Sequence, residues 1–166
     1  MAIETLNGSA QSWANGTFVF DISGAAPVED ADMKGVNFET AVERGMQRRQ
    51  GGALKAYTDG METPTASMTL YADGAEALYR GLMAAAEAGN FKDSAGRLQI
   101  GKVPFNLVIN HSKNGESDIR TVKILGCRLG KDAMALAEGT DADAVECDLH
   151  PLKIVRVIDG KEVVML

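Results

Sequence analysis

"MKGVNFETAVERGMQRRQGGALKAYTDGMETPTASMTLY", Met33 to Tyr71, sets two alternating runs at the ends of a stretch that alternates nowhere. In the first run Val36, Phe38, Thr40 and Val42 fall on one side and Asn37, Glu39, Ala41 and Glu43 on the other. In the second, Ala66, Met68 and Leu70 oppose Thr65, Ser67 and Thr69. A period of two is the mark of a half-buried strand, with one apolar face and one small polar face. Between them Arg44 to Pro64 is glycine-rich, basic at its start and without apolar periodicity, and it reads as a long loop. Compact domains rarely carry unstructured connections of that length, so something must order it.

Outward from this segment the same period recurs. Phe18, Phe20 and Ile22 alternate with Val19 and Asp21; Phe105, Leu107 and Ile109 with Asn106 and Asn110; Val145, Cys147 and Leu149 with Glu146, Asp148 and His150. "RLQI" and "DIRTVKILGCRLG" add two further strands, with Asn114-Gly115 and Asp159-Gly160 as hairpin turns. Only one segment changes period. In "DGAEALYRGLMAAAEAGN", Ala75, Leu78, Tyr79, Leu82, Met83 and Ala86 share one helical face; Asp73 and Glu76 have capping-box spacing, and Gly89 supplies a stop. The fold class is therefore mainly β: an antiparallel sandwich or barrel of seven to eight strands, with one packed helix from Asp73 to Ala88.

The chain's 166 residues suit a single domain, 1–166, with the segment 44–64 as an arm. No apolar run approaches the roughly 20 residues of a membrane-crossing helix, so no membrane anchor is expected. The start lacks a signal peptide's basic and apolar regions, which predicts a protein first made and used in a cytoplasm. Cys127 and Cys147 lie within strand patterns and lack metal-ligand spacing, which predicts buried free thiols. His111 and His150 stand in no nucleophile, base or metal motif, and no phosphate-cradling loop occurs, so neither enzyme nor cofactor is expected. A net charge of −6 argues against tight binding of nucleic-acid phosphates.

Arg44, Arg48, Arg49 and Lys55, with Tyr57 beside them, form the one basic concentration. Two acidic runs, "PVEDAD" and "EGTDADAVECD", offer a contact surface at Glu29, Asp30, Asp32, Glu138, Asp141 and Asp143. An arm whose cations meet such a surface on a neighbouring copy would be ordered by that neighbour.

The order of these elements resembles bacteriophage tail tube proteins, relatives of the tubes of contractile injection systems. The resemblance rests on a strand ending "VERG", the glycine-rich arm, the strand "GMETPTASMTLY", the helix "GAEALYRGL", a strand ending "ILGCRLG" and then "EGTDADAVECDLHPLKIV". It implies hexameric rings that stack into a hollow tube, the conduit for ejected DNA. Carried onto this chain, Arg44, Arg48, Arg49, Lys55 and Tyr57 belong to the inter-ring stacking arm, and Asn37, Glu39, Thr65, Ser67 and Thr69 face the lumen. Implied partners are the chain itself, a tape-measure protein, a tail terminator, baseplate or tail-tip proteins and, in a contractile tail, a sheath. DNA passes only in transit. Implied locations are the host cytoplasm during assembly and then the mature virion tail. Another tail component or secretion-system tube of the same fold, and a small-ligand-binding β-barrel, are the alternative readings.

Overall fold

A computed structural model describes residues 11–29, 32–113, 119–136 and 143–164. Its strands are β1 (Gln11–Ile22), β2 (Val28–Glu29), β3 (Met33–Arg48), β4 (Leu54–Tyr71), β5 (Phe105–Lys113), β6 (Ile119–Cys127), β7 (Leu129–Ala135), β8 (Ala144–Leu149), β9 (Lys153–Ile158) and β10 (Lys161–Val163). One helix, α1 (Ala72–Ala88), follows β4 directly, and a single 3₁₀ turn occupies Ile100–Lys102. The strands form two antiparallel sheets, six-stranded in the order β10-β9-β6-β5-β1-β2 and four-stranded in the order β3-β4-β8-β7. This is the expected mainly β sandwich, with more strands among the described residues than the seven or eight read from sequence: the two-residue β2 and the edge strand β7 were not read as strands.

The alternating apolar residues of both sheets meet in one core. Phe18, Phe20, Ile22, Phe105, Leu107, Ile109, Val122 and Ile124 come from the larger sheet. Ala66, Met68, Leu70, Val145, Cys147 and Leu149 come from the smaller. Phe20 and Phe105 pack edge to face at 5.9 Å between ring centroids, in the favoured aromatic geometry. The helix adds Ala75, Leu78, Leu82, Ala85 and Ala86. It comes so close to β1 and β2 that a Cβ at Gly81 would press on Ile22 and Val28. At Gly74 it would meet the Asp32 backbone.

Several local expectations need correction. Residues 44–64 are not a loop: β3 and β4 continue as an antiparallel ribbon to a tip at residues 49–53, closed by the Arg49 N–H to Ala53 O bond (2.8 Å), with Gly51 and Gly52 at positive φ. The sequence concealed this because the ribbon stands clear of the core, so burial imposes no apolar alternation on it. The helix begins one residue before Asp73, with Tyr71 at the N-cap and no capping side chain; Asp73 sits in the first turn. Met83, placed on the apolar stripe, is exposed. "RLQI" contributes an isolated bridge at Leu98 and the 3₁₀ turn rather than a strand.

"DIRTVKILGCRLG" breaks at Arg128, where the chain leaves one sheet for the other, and its last two residues open the edge strand β7. The Asp159-Gly160 turn is as expected, both residues having positive φ between β9 and β10. Asn114-Gly115 lies outside the described residues, although β5 and β6 pair on either side of it.

Candidate functional site

The solvent side of the four-stranded sheet gathers most of the polar residues singled out in sequence. Register places Asn37 opposite Ser67, Glu39 opposite Thr65, and Gly35 opposite Thr69. On the other flank of β4, Ser67 faces Asp148 and Thr69 faces Glu146. β7 completes the surface with Lys131, paired in register with Asp148 and 3.9 Å from the Glu146 carboxylate. So Asn37, Glu39, Thr65, Ser67 and Thr69 do share one face, and with Asp148 and His150 the first four line a shallow groove along it. The His150 ring packs on the Gly130 backbone, where a Cβ would overlap the imidazole, and backbone bonds between Arg128 and His150 (2.9 and 3.3 Å) hold that corner.

Sequence reasoning missed Lys131, Glu146 and Asp148 on this face. The alternation in "AVECDLH" had put Glu146 and Asp148 on a polar side. What it does not contain is the pairing of β4 with β8, made by strands more than seventy residues apart. The resulting surface is small, polar and predominantly acidic, with serine and threonine hydroxyls at its centre.

Beyond the body, the ribbon carries all five residues assigned to the arm. Arg44 lies opposite Asp59, with Nε 3.8 Å from the carboxylate; both are exposed, so the pair contributes little stability. Arg48 donates from Nη1 to Gly52 O (3.0 Å), bracing the tip. Met46 lies directly opposite Tyr57, and these side chains remain 60% and 63% exposed; Leu54 and Met61 are exposed as well. An isolated two-stranded ribbon is at best marginally stable in water, and this one exposes four large apolar side chains, Met46, Leu54, Tyr57 and Met61.

The acidic assignments divide. Asp32 and Asp143 come together with Asp73 around a cleft at the start of α1, where Asp32 O accepts the Tyr71 N–H (3.0 Å) and Asp143 O the Ala72 N–H (3.2 Å). Carboxylates there also complement the positive end of the helix dipole. Glu29 is exposed on β2 and does not line this cleft. Asp30, Glu138 and Asp141 lie outside the described residues.

The titratable groups that shift most are inside the body. Burial pushes the Cys127 thiol up to about 12, and it raises Cys147 too, against a lowering hydrogen bond from Tyr79. Among the described residues no group of three or more His, Cys, Asp or Glu side chains is placed to hold a metal ion, and no helix is long and apolar enough to cross a membrane.

No protein-family model and no curated protein matches this sequence. Solved structures do match it in shape. A chain from the anti-feeding prophage (AFP) baseplate superposes with a TM-score of 0.60 at 12% identity, covering 97% of this chain and 99% of that one. A chain from the sheath–tube complex of an extracellular contractile injection system (PVC) gives 0.55 at 10% identity, with 88% of each covered. The Hcp1 protein of the E. coli EAEC 042 pathovar gives 0.52 at 8% identity, with 90% and 95% covered. The chain shares the fold of these contractile-injection-system and Hcp1 chains. At these identities the likeness is one of backbone architecture; individual side chains must be argued from their own surroundings.

Proposed function

We propose that this chain is a structural protein that assembles with copies of itself into stacked rings forming the hollow tube of a tail or injection system. The ribbon carries the proposal: it projects a basic, partly apolar surface from an otherwise acidic body, and among the described residues no segment packs over Met46 and Tyr57. In this reading Arg44, Arg48, Arg49, Lys55 and Tyr57 contact the adjoining ring. A head-to-tail contact of this kind does not close on itself, so it propagates as a filament.

The polar face of the four-stranded sheet is the channel wall. Both edge strands of that sheet, β3 and β7, are free to pair with neighbours, and six copies joined edge to edge would give a continuous β-lined ring. The wall then presents Asn37, Glu39, Thr65, Ser67 and Thr69 together with Glu146 and Asp148. Such a surface repels a polyanion weakly and displaces no condensed counterions from it, so DNA passes without being held. A tape-measure protein would occupy the same channel, with a terminator and a baseplate at the tube's ends and a sheath around it in a contractile particle. The place of action is the host cytoplasm during assembly and the virion tail thereafter, with genome ejection as the outcome. No chemistry is assigned to the chain.

Negative-stain electron microscopy of the purified protein, paired with its sedimentation profile, tests the reading. Rings or hollow tubes are expected. A species that stays monomeric at every concentration overturns self-assembly and favours another tail component of the same fold. The small-ligand barrel is disfavoured because Phe20, Phe105, Leu107 and Ile124 fill the space between the sheets.

A further inference from the structure

One extra residue in β4 decides which side chains share a face of the ribbon. Val42 pairs with Glu62, and the next register pair is Arg44 with Asp59, so β3 advances two residues while β4 advances three. Alternation on β3 is unbroken, and Arg44, Met46 and Arg48 continue the core side begun by Val36 and Phe38. On β4 the bulge reverses the alternation, as an added residue must. Below it Glu62, Pro64, Ala66 and Met68 pair on the core side; above it Tyr57 and Asp59 do. A second extra residue, between Gln47–Ala56 and Arg48–Leu54, brings Leu54 to that side as well.

The ribbon is consequently two-faced. Met46, Leu54 and Tyr57 share one face with Arg44 and Arg48. Gly45, Gln47, Ala56 and Thr58 share the other, which extends the small polar surface of the sheet. In a ribbon of unbroken register Tyr57 would stand on the polar face and Thr58 opposite Met46. Gly60 makes the bulge possible, because a Cβ at this position would collide with the Glu43 carbonyl oxygen.

A further observation lies on the same side. Glu62 Oε1 is buried and has no hydrogen-bond partner among the described residues, a costly state that a donor from outside would relieve. Charge indicates, separately, what the ribbon's cations meet. Residues 44–59 carry four cations and one carboxylate, a net of +3, which leaves −9 on the rest of a chain whose total is −6. The best complement to the ribbon's cationic face is therefore the acidic body of another copy.

We propose that the Gly60 bulge is a register device for docking: it turns Tyr57 to join Met46 and Leu54, and this face, with its arginines, seats on a second copy of the chain. The opposite face stays in solvent as an extension of the channel wall. This rests on the self-assembly reading above and adds which face of the ribbon binds.

The test compares critical concentrations for assembly among folded variants. Met46→Ser with Tyr57→Ser, and separately Gly60→Val, which sets a side chain against the Glu43 carbonyl and so disfavours the bulge, are expected to raise it at least about tenfold, as for anchors at the centre of an interface. Gln47→Ala with Thr58→Ala should move it less than about twofold. Equal effects from both faces, or none from Met46 and Tyr57, overturn the docking face even if the Gly60→Val variant fails to fold. A chain whose ribbon is shortened by removing residues 46–57 separates the two levels. If it still forms tubes, ring stacking does not use the ribbon; if it does not, while the face variants behave alike, only the face assignment fails.

Discussion

Tyr79 donates a 2.6 Å hydrogen bond to Asp132 Oδ1 and thereby ties the middle of α1 to the edge strand β7. Its hydroxyl also lies 3.6 Å from Cys147 Sγ, where either atom can donate. The helix is thus fastened to the four-stranded sheet at β7, the strand furthest from its own chain connection to β4. If that sheet is the channel wall, this bond helps to keep its free edge in position for a neighbour.

Tyr79→Phe should cost about 1 kcal/mol, the ordinary worth of a hydrogen bond whose acceptor is exposed, and lower Tm by about 2–4 °C. The pH dependence is more diagnostic. Burial first, then the bonds to Asp132 and Cys147, hold the Tyr79 phenol far above its ordinary value of 10.0. Above about pH 10 the unfolded chain loses this proton while the folded chain keeps it, so stability present below that pH falls as pH rises. Urea unfolding across the alkaline range should show the decline in the parent and a shallower one in the phenylalanine variant; parallel curves would remove Tyr79 as the cause.

Leu82 is fully buried between the sheets and α1, whereas Met83, its chain neighbour, is 46% exposed. Leu82→Ala should therefore cost about 2–5 kcal/mol, and Met83→Ala within about 0.5 kcal/mol. Thermal melts of the two variants side by side check this. An equal loss would mean that the helix is rotated from the position described.

Both thiols should be inert in the folded protein. Cys127 and Cys147 are fully buried, and each is held protonated by its apolar surroundings, whereas the thiolate is the reactive form. Labelling by a thiol reagent is expected to proceed at the rate of global unfolding and to be independent of reagent concentration once the reagent is in excess. Rapid labelling of either cysteine at neutral pH would show that its part of the core opens on its own.

How much of this was legible in the sequence follows from what burial does to a pattern. Phe18, Phe20 and Ile22, or Val145, Cys147 and Leu149, alternate because one side of each strand meets a core, and those strands were read correctly. The helix was found within one residue for the same reason. The ribbon has no core beneath it, so its pairing is made by backbone atoms that every residue possesses, and nothing in "RGMQRRQGGALKAYTDGMETP" reports it. The polar surface was half legible: Asn37, Glu39, Thr65, Ser67 and Thr69 were read as sharing a polar face, but Glu146 and Asp148 join that face only through a long-range strand pairing. The crossing from β6 to β7 at Arg128 was missed although Gly126, at positive φ, signals it, because the apolar residues resume directly at Leu129.

The ribbon's cations should be needed for assembly and not for folding. Arg48 and Arg49 are exposed, and within the chain Arg48 makes only the exposed bond to Gly52 O among those described. Replacing both by Glu changes the ribbon by four charge units while touching no core residue, so Tm should stay within about 1 °C and tubes should fail to form. If the acidic cleft of the next copy is what they meet, adding Asp32→Lys and Asp143→Lys should restore tubes, because the attraction is then rebuilt with its signs exchanged. Salt separates this from a packing defect: assembly of the parent should weaken toward about 1 M salt, where the screening length is about 3 Å, and the charge-swapped protein should follow it. Normal tubes from the Arg48→Glu, Arg49→Glu variant would dismiss the arginines from the contact. Loss without rescue would keep them there and direct the search for their partner away from Asp32 and Asp143.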